Sequence, residues 1–179
     1  MGRSFDEVFS AEFDALHGYA ARRLGRSAAD DVTAETFAIA FRRWGDLDPS
    51  RPVRPWLYGI ASNLIRHHWR KERRMLRAYA RTGDDPVLAE EDVSLERLAA
   101  RALQPRLAAA LADLRREERD VLLLHAWAEL GDAEIAESLS LPVGTVKSRL
   151  SRAREQLRNR LGPIGQVEVE RLNTVEERR

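Results

Sequence analysis

The chain contains no cysteine. Disulfides, thiolate metal sites, thiol nucleophiles and thiol-based redox sensing are therefore excluded. Long apolar runs are also absent. No window approaches the ~18 apolar residues of a spanning helix, so membrane insertion is not expected. The start, Met1 to Glu7, lacks the charged-then-apolar layout of a signal peptide, and a cytoplasmic location is expected. No stretch alternates apolar and polar residues with a period of two, so strands are not expected. There is no phosphate-cradling glycine loop, no zinc ligand set and no nucleophile beside a base. These gaps argue against an enzyme, and no cofactor is expected.

What is present is a chain of 179 residues, 44% hydrophobic and 33% charged. That suits one folded domain or two small ones. The net charge of +1 averages over opposed blocks. Residues 54–77 hold seven Arg/Lys and one Glu, a net of +6. Residues 82–97 hold six Asp/Glu and one Arg, a net of −5. Residues 143–161 hold six Arg/Lys and one Glu, a net of +5. Two basic stripes flanking an acidic stretch form the electrostatic footprint of a nucleic-acid-binding protein.

The apolar periodicity is helical. Phe5, Phe9, Phe13, Leu16 and Ala20 form one stripe; Val32, Phe37, Phe41 and Trp44 a second; Leu57, Ile60, Ala61 and Leu64 a third. Gly45, Pro49, Pro52 and Pro55 mark a shaped loop over 45–55. The expected architecture is all-α, with two small helical domains joined by a flexible acidic linker. The expected spans are 1–81, a linker over 82–96, 97–161, and a tail over 162–179.

The sharpest pattern lies in 132–161. Asp132 is placed to cap a helix over Ala133–Leu139. Ser140, Leu141 and Pro142 make a break, and Pro142 suits the entry to a second helix over Val143–Leu161. On a wheel of ~100° per residue, Val146, Leu150, Ala153, Leu157 and Leu161 gather on one side. Lys147, Ser148, Ser151, Arg152, Glu155 and Arg158 lie opposite. Short hydroxyls beside long cations suit a helix in a major groove, with Arg152 reaching a guanine edge and Lys147 neutralising phosphate. A solvated basic helix would give the same wheel, but the tight helix-turn-helix spacing favours DNA.

Residues 55–74 carry a second interface. Leu57, Ile60, Ala61 and Leu64 face inward. Ser62, Asn63, Arg66, Trp69, Arg70 and Arg73 face the other way. Cations for phosphates, an aromatic face for stacking and an amide for a base edge suit single-stranded DNA. Trp56 and Tyr58 read first as core packing, whereas Trp69 is open to either role. His67 and His68 are adjacent and point to different sides of the helix, so a shared metal is not expected.

At these residues the chain resembles the sigma-70 family. Residues 30–44, DDVTAETFAIAFRRW, resemble its region 2.2. Residues 55–63, PWLYGIASN, resemble regions 2.3 and 2.4. Residues 122–136, LLLHAWAELGDAEIA, and 144–154, GTVKSRLSRAR, resemble region 4. The order of the signatures, and the direct passage through an acidic linker, resemble the extracytoplasmic-function (ECF) group. The resemblance implies a transcription initiation factor that binds core RNA polymerase, through the β′ clamp helices and the β subunit, and promoter DNA. It also implies an anti-sigma factor or another regulator as partner. Carried over residue by residue, it puts Asp31, Glu35, Thr36 and Arg42 against core polymerase. It puts Asn63, Arg66, Trp69 and Arg70 on the −10 element, with loop 45–54 holding a flipped base. It puts His125, Thr145, Lys147, Ser148, Ser151 and Arg152 on the −35 element, although His125 equally fits a partly buried polar residue in a leucine-rich helix. Two departures stand out: Asp132 where a Gly-Leu-Ser-Tyr-like turn is common, and Gly59 where Arg is frequent. The competing expectation is a stand-alone helix-turn-helix regulator.

Overall fold

The computed structural model describes residues 4–48, 50–82 and 95–162, without the side chains of 82 and of 95–103. Most of the expected acidic linker and the tail from 163 onward lie outside the described residues. Among the described residues there are eight α-helices and no strand.

Helix α1 (Phe5–Leu24) starts with a capping box. The Ser4 hydroxyl accepts from the Glu7 N–H at 3.3 Å, and the Glu7 carboxylate accepts from the Ser4 N–H at 2.9 Å. Gly25, at φ 81°, turns the chain into α2 (Arg26–Arg42). A short 3-10 turn, Trp44–Asp46, leads into the proline loop. There the Asp48 carboxylate accepts from the Ser50 N–H and hydroxyl, and these bonds hold it below the usual carboxylate range.

Helix α3 (Val53–His67) follows Pro52. Pro55 fits its first turn, where an N–H has no helical partner. The expected single basic helix is interrupted at His68 (φ −99°, ψ 10°), and α4 (Trp69–Thr82) sets off anew. Then come α5 (Leu95–Asp113), α6 (Arg116–Trp127), α7 (Asp132–Leu139) and α8 (Val143–Leu161). The α7 cap differs from expectation. Gly131 is the N-cap, its N–H donating to the Glu134 carboxylate at 2.8 Å, and Asp132 is already the first helical residue.

A buried cluster around Leu16, Phe37, Leu57 and Ala61 holds α1, α2 and α3 together. A larger one includes Tyr19, Leu24, Ile65 and Leu76 together with Leu122, Leu124, Leu150 and Leu157. The N-terminal helices α1–α4 and the C-terminal helices α5–α8 thus share apolar packing. Helix α4 lies on α5, and α3 lies on α7.

Buried charges cross the same boundary. Arg23 donates from Nε to Glu72 and from a terminal nitrogen to Asp120, both at 2.5 Å. Arg119 donates to the other Glu72 oxygen at 3.1 Å. All four side chains are at most 4% exposed. Two cations and two anions balance, so each carries its charge with a partner. Burial works against the Arg23 charge, but Tyr19, Glu72 and Asp120 outweigh it and hold its pKa well above the ordinary value.

Candidate nucleic-acid interface

Helix α8 presents the wheel that its sequence dictates. Val146, Leu150, Ala153, Leu157 and Leu161 are buried, while Lys147, Ser148, Ser151 and Arg152 are exposed along the opposite side. The left-handed Ser140 (φ 53°) makes the corner between α7 and α8, and Pro142 opens the second helix. Thr145 is half-buried in the first turn of α8; its carbonyl accepts from the Ser148 hydroxyl at 3.0 Å. Arg152 is 53% exposed and donates from Nε to the buried Glu118 at 3.1 Å. This row of hydroxyls, an ammonium and a guanidinium on one convex helix can follow a duplex groove.

His125 does not join that row. It is 1% exposed, inside α6, with Nδ1 3.3 Å from the Leu130 carbonyl oxygen and Nε2 3.0 Å from Arg154 on α8. The expected DNA contact at His125 is corrected: its ring ties α6 to α8 from within.

The second surface lies at the junction of α3 and α4. Asn63 is exposed and its side-chain oxygen accepts from Arg66 at 3.0 Å. Arg66 also lies 3.7 Å from Asp120 of α6. Trp69, 38% exposed, carries the Arg70 guanidinium 5.6 Å from its ring centroid. The break at His68 places Trp69 at the start of α4. Trp56 and Tyr58 take the packing role: Tyr58 is fully buried, and Trp56 lies half-buried against Trp44.

Asn63 opens into a cavity of about 500 Å³. The end of α2 supplies Arg43 to its wall, the proline loop Asp48 and Arg51, α3 Trp56 and Gly59, and α7 Glu137 and Ser138. The candidate base-binding loop and the helix-turn-helix therefore face one another in this conformation. The Ser138 hydroxyl donates to the Pro55 carbonyl at 2.7 Å, and Arg54 donates to the Ala128 carbonyl at 2.9 Å.

On α2, Asp31, Glu35 and Arg42 are exposed, with Arg42 3.2 Å from Glu35. Thr36 is not available beside them. It is fully buried, and its hydroxyl donates to the Val32 carbonyl at 2.7 Å. The expectation for Thr36 is corrected to packing between α2 and its neighbours. Near the same end, Phe41 is 66% exposed and Phe9 39%, so these two members of the apolar stripes of α1 and α2 lie at the surface. Among the described residues, no helix is long and apolar enough to cross a membrane.

The Sigma-70 region 2 model matches residues 8–75, and the Sigma-70, region 4 model matches residues 105–157. The sigma factor CnrH of Cupriavidus metallidurans is 34% identical over 155 residues, covering 80% of this chain and 81% of CnrH. The ECF sigma factor SigW of Bacillus subtilis is 32% identical over 172 residues, covering 88% and 89%.

The chain belongs to the sigma-70 family, as an ECF RNA polymerase sigma factor.

Two solved structures share this fold. CnrH in complex with the cytosolic domain of CnrY aligns at TM-score 0.60 and 28% identity, over 85% of this chain and 83% of that one. The sigma factor RpoE, solved with the anti-sigma factor NepR from Bartonella quintana, shares the fold at TM-score 0.63 and 21% identity, over 89% and 97%. As a sigma factor, this chain is a polymerase subunit for transcription initiation and not an enzyme. Its region 2 match spans most of α1, all of α2 and α3 and the first half of α4; its region 4 match spans the second half of α5, all of α6 and α7 and most of α8.

Proposed function

We propose that this sigma factor grips one promoter at two places while bound to core polymerase. Thr145, Lys147, Ser148, Ser151 and Arg152 meet the −35 duplex. Asn63, Arg66, Trp69 and Arg70 meet the −10 strand. The observation that carries this reading is the pairing, on one chain, of an exposed hydroxyl-and-cation row on α8 with an exposed amide–indole–guanidinium group at the α3–α4 junction. The first suits base edges in a duplex. The second suits unstacked bases, whose opening cost of a few kcal/mol per base is offset by stacking and pocket contacts.

Asp31, Glu35 and Arg42 on α2 are read as the contact with the β′ clamp helices, with the β subunit also engaged. The working division of the chain is 1–81 for core and −10 binding, 82–96 as linker, 97–161 for −35 binding, and 162–179 as a tail. A cytoplasmic location for this chain and a protein regulator of the anti-sigma type fit this reading, the latter supported by the CnrY and NepR complexes of related folds.

In vitro transcription with core polymerase over a promoter library tests the whole reading. Defined start sites sharing −35 and −10 elements are expected. A protein that binds DNA but neither joins core polymerase nor redirects its start sites would instead be a stand-alone helix-turn-helix regulator.

A further inference from the structure

Glu118 sits in the first turn of α6 and is 3% exposed. Its two oxygens serve two residues of α8. One accepts from Arg152 Nε at 3.1 Å, the other from Gln156 Nε2 at 2.9 Å. The donors stand one helical turn apart, so the carboxylate is held from two sides. Arg152 meanwhile remains 53% exposed.

We propose that Glu118 is a positioning residue that aims Arg152 at a base edge. The proposal rests on the reading of Arg152 as a −35 base contact. A guanine edge is read by two parallel N–H donors from one guanidinium plane. Arginine reaches that geometry from many rotamers, and ordering it on DNA costs affinity unless the plane is fixed beforehand. Glu118 accepts at Nε, so this bond leaves the two terminal nitrogens uncommitted. The bond thus orients the fork without occupying it.

Charge points the same way. An arginine paired with a buried carboxylate offers little net charge to phosphate but keeps its directional donors. Phosphate gripping depends on net charge, base reading on direction. Glu118 therefore separates the task of Arg152 from that of Lys147, an ammonium exposed on the turn before.

The test uses the full-length protein assembled with core polymerase. Binding is compared on a promoter with its selected −35 element and on versions with single altered −35 bases. The variants are Glu118→Gln, Glu118→Ala, Arg152→Ala and the Glu118→Gln/Arg152→Ala double variant, each checked for its thermal midpoint. Arg152→Ala is expected to lower discrimination at one base pair by roughly tenfold, and Glu118→Ala by about three- to tenfold. Glu118→Gln keeps an acceptor and a similar shape, so it should lose less and remains readable if the alanine variant fails to fold. In the Arg152→Ala background the Glu118→Gln effect on discrimination should vanish.

If Arg152→Ala loses discrimination while both Glu118 variants keep it, Glu118 does not position Arg152 and the base reading survives. If Arg152→Ala itself leaves discrimination unchanged, the base reading fails and takes the proposal with it. A Glu118 effect equal on all duplexes, and undiminished without Arg152, would make Glu118 an interhelical tie only.

Discussion

Gly59 on α3 lies directly against the main chain of Ser138 on α7: a Cβ placed on Gly59 would stand 2.6 Å from the Ser138 carbonyl oxygen. One turn earlier on α3, Pro55 accepts the Ser138 hydroxyl. Mid-helix glycine costs roughly 0.5–1 kcal/mol relative to alanine, so sequence alone reads Gly59 as a weakness. The structure gives it a use, because any side chain would push against backbone that cannot swing aside. Gly59→Ala should therefore lower stability by about 1–3 kcal/mol despite its better helix propensity. Urea unfolding of the two proteins measures this directly. An alanine variant as stable as the parent would mean that α7 does not seat on α3.

Arg23 holds two buried acids at once, Glu72 within its own half and Asp120 from the other. Removing it leaves both with less compensation, and breaking a buried pair typically costs about 3–5 kcal/mol. Arg23→Ala should approach that figure in guanidinium unfolding. Arg42→Ala, which removes an exposed ion pair with Glu35, should cost at most about 1 kcal/mol. Similar losses for the two variants would contradict the buried network.

These two relationships mark the limit of sequence reading. The α8 stripe was legible because one face is apolar and the other polar, so periodicity alone assigns Val146 through Leu161 inward. In α1 the stripe read from the sequence holds, running from a partly exposed rim to a buried centre. Phe5, Phe9 and Phe13 ring the flank against Phe37, Phe41 and Trp44, while Val8, Leu16 and Tyr19 take the centre. Large rings cover a core from its edge, which a wheel cannot distinguish from its middle. Arg23, Glu72, Glu118, Arg119 and Asp120 look like solvated helix charges in a sequence. Only the meeting of distant helices shows them buried, and the same meeting takes His125 and Thr36 away from any partner surface.

Burial pushes the Tyr58 phenol up to about 12 against the smaller opposing pull of Arg54, and burial likewise raises Tyr19. The fold thus favours the neutral phenols. Below about pH 10, folded and unfolded chains both keep these protons, and the stability they confer is complete. Above it the unfolded chain ionises first and draws the equilibrium toward itself. Stability should fall between pH 10 and pH 12, with Tyr58 accounting for up to about 3 kcal/mol. Tyr58→Phe should flatten that alkaline limb. An unchanged limb in denaturant midpoints taken from pH 9 to 12 would refute the assignment.

Lys147 and Arg152 occupy the same exposed side of α8 but should fail in different ways. Lys147 is an exposed ammonium, suited to phosphate as a point charge. Its removal should weaken polymerase holoenzyme binding to about the same degree on every −35 sequence. It should also reduce the slope of log affinity against log salt by about one, because one fewer counterion is released. Arg152→Ala should leave that slope nearly untouched, since Glu118 already offsets its charge, and should change base preference instead. Salt titrations of the two alanine variants on matched and altered promoters separate the cases. Equal slopes with equal base preference would place neither side chain against DNA in the manner described.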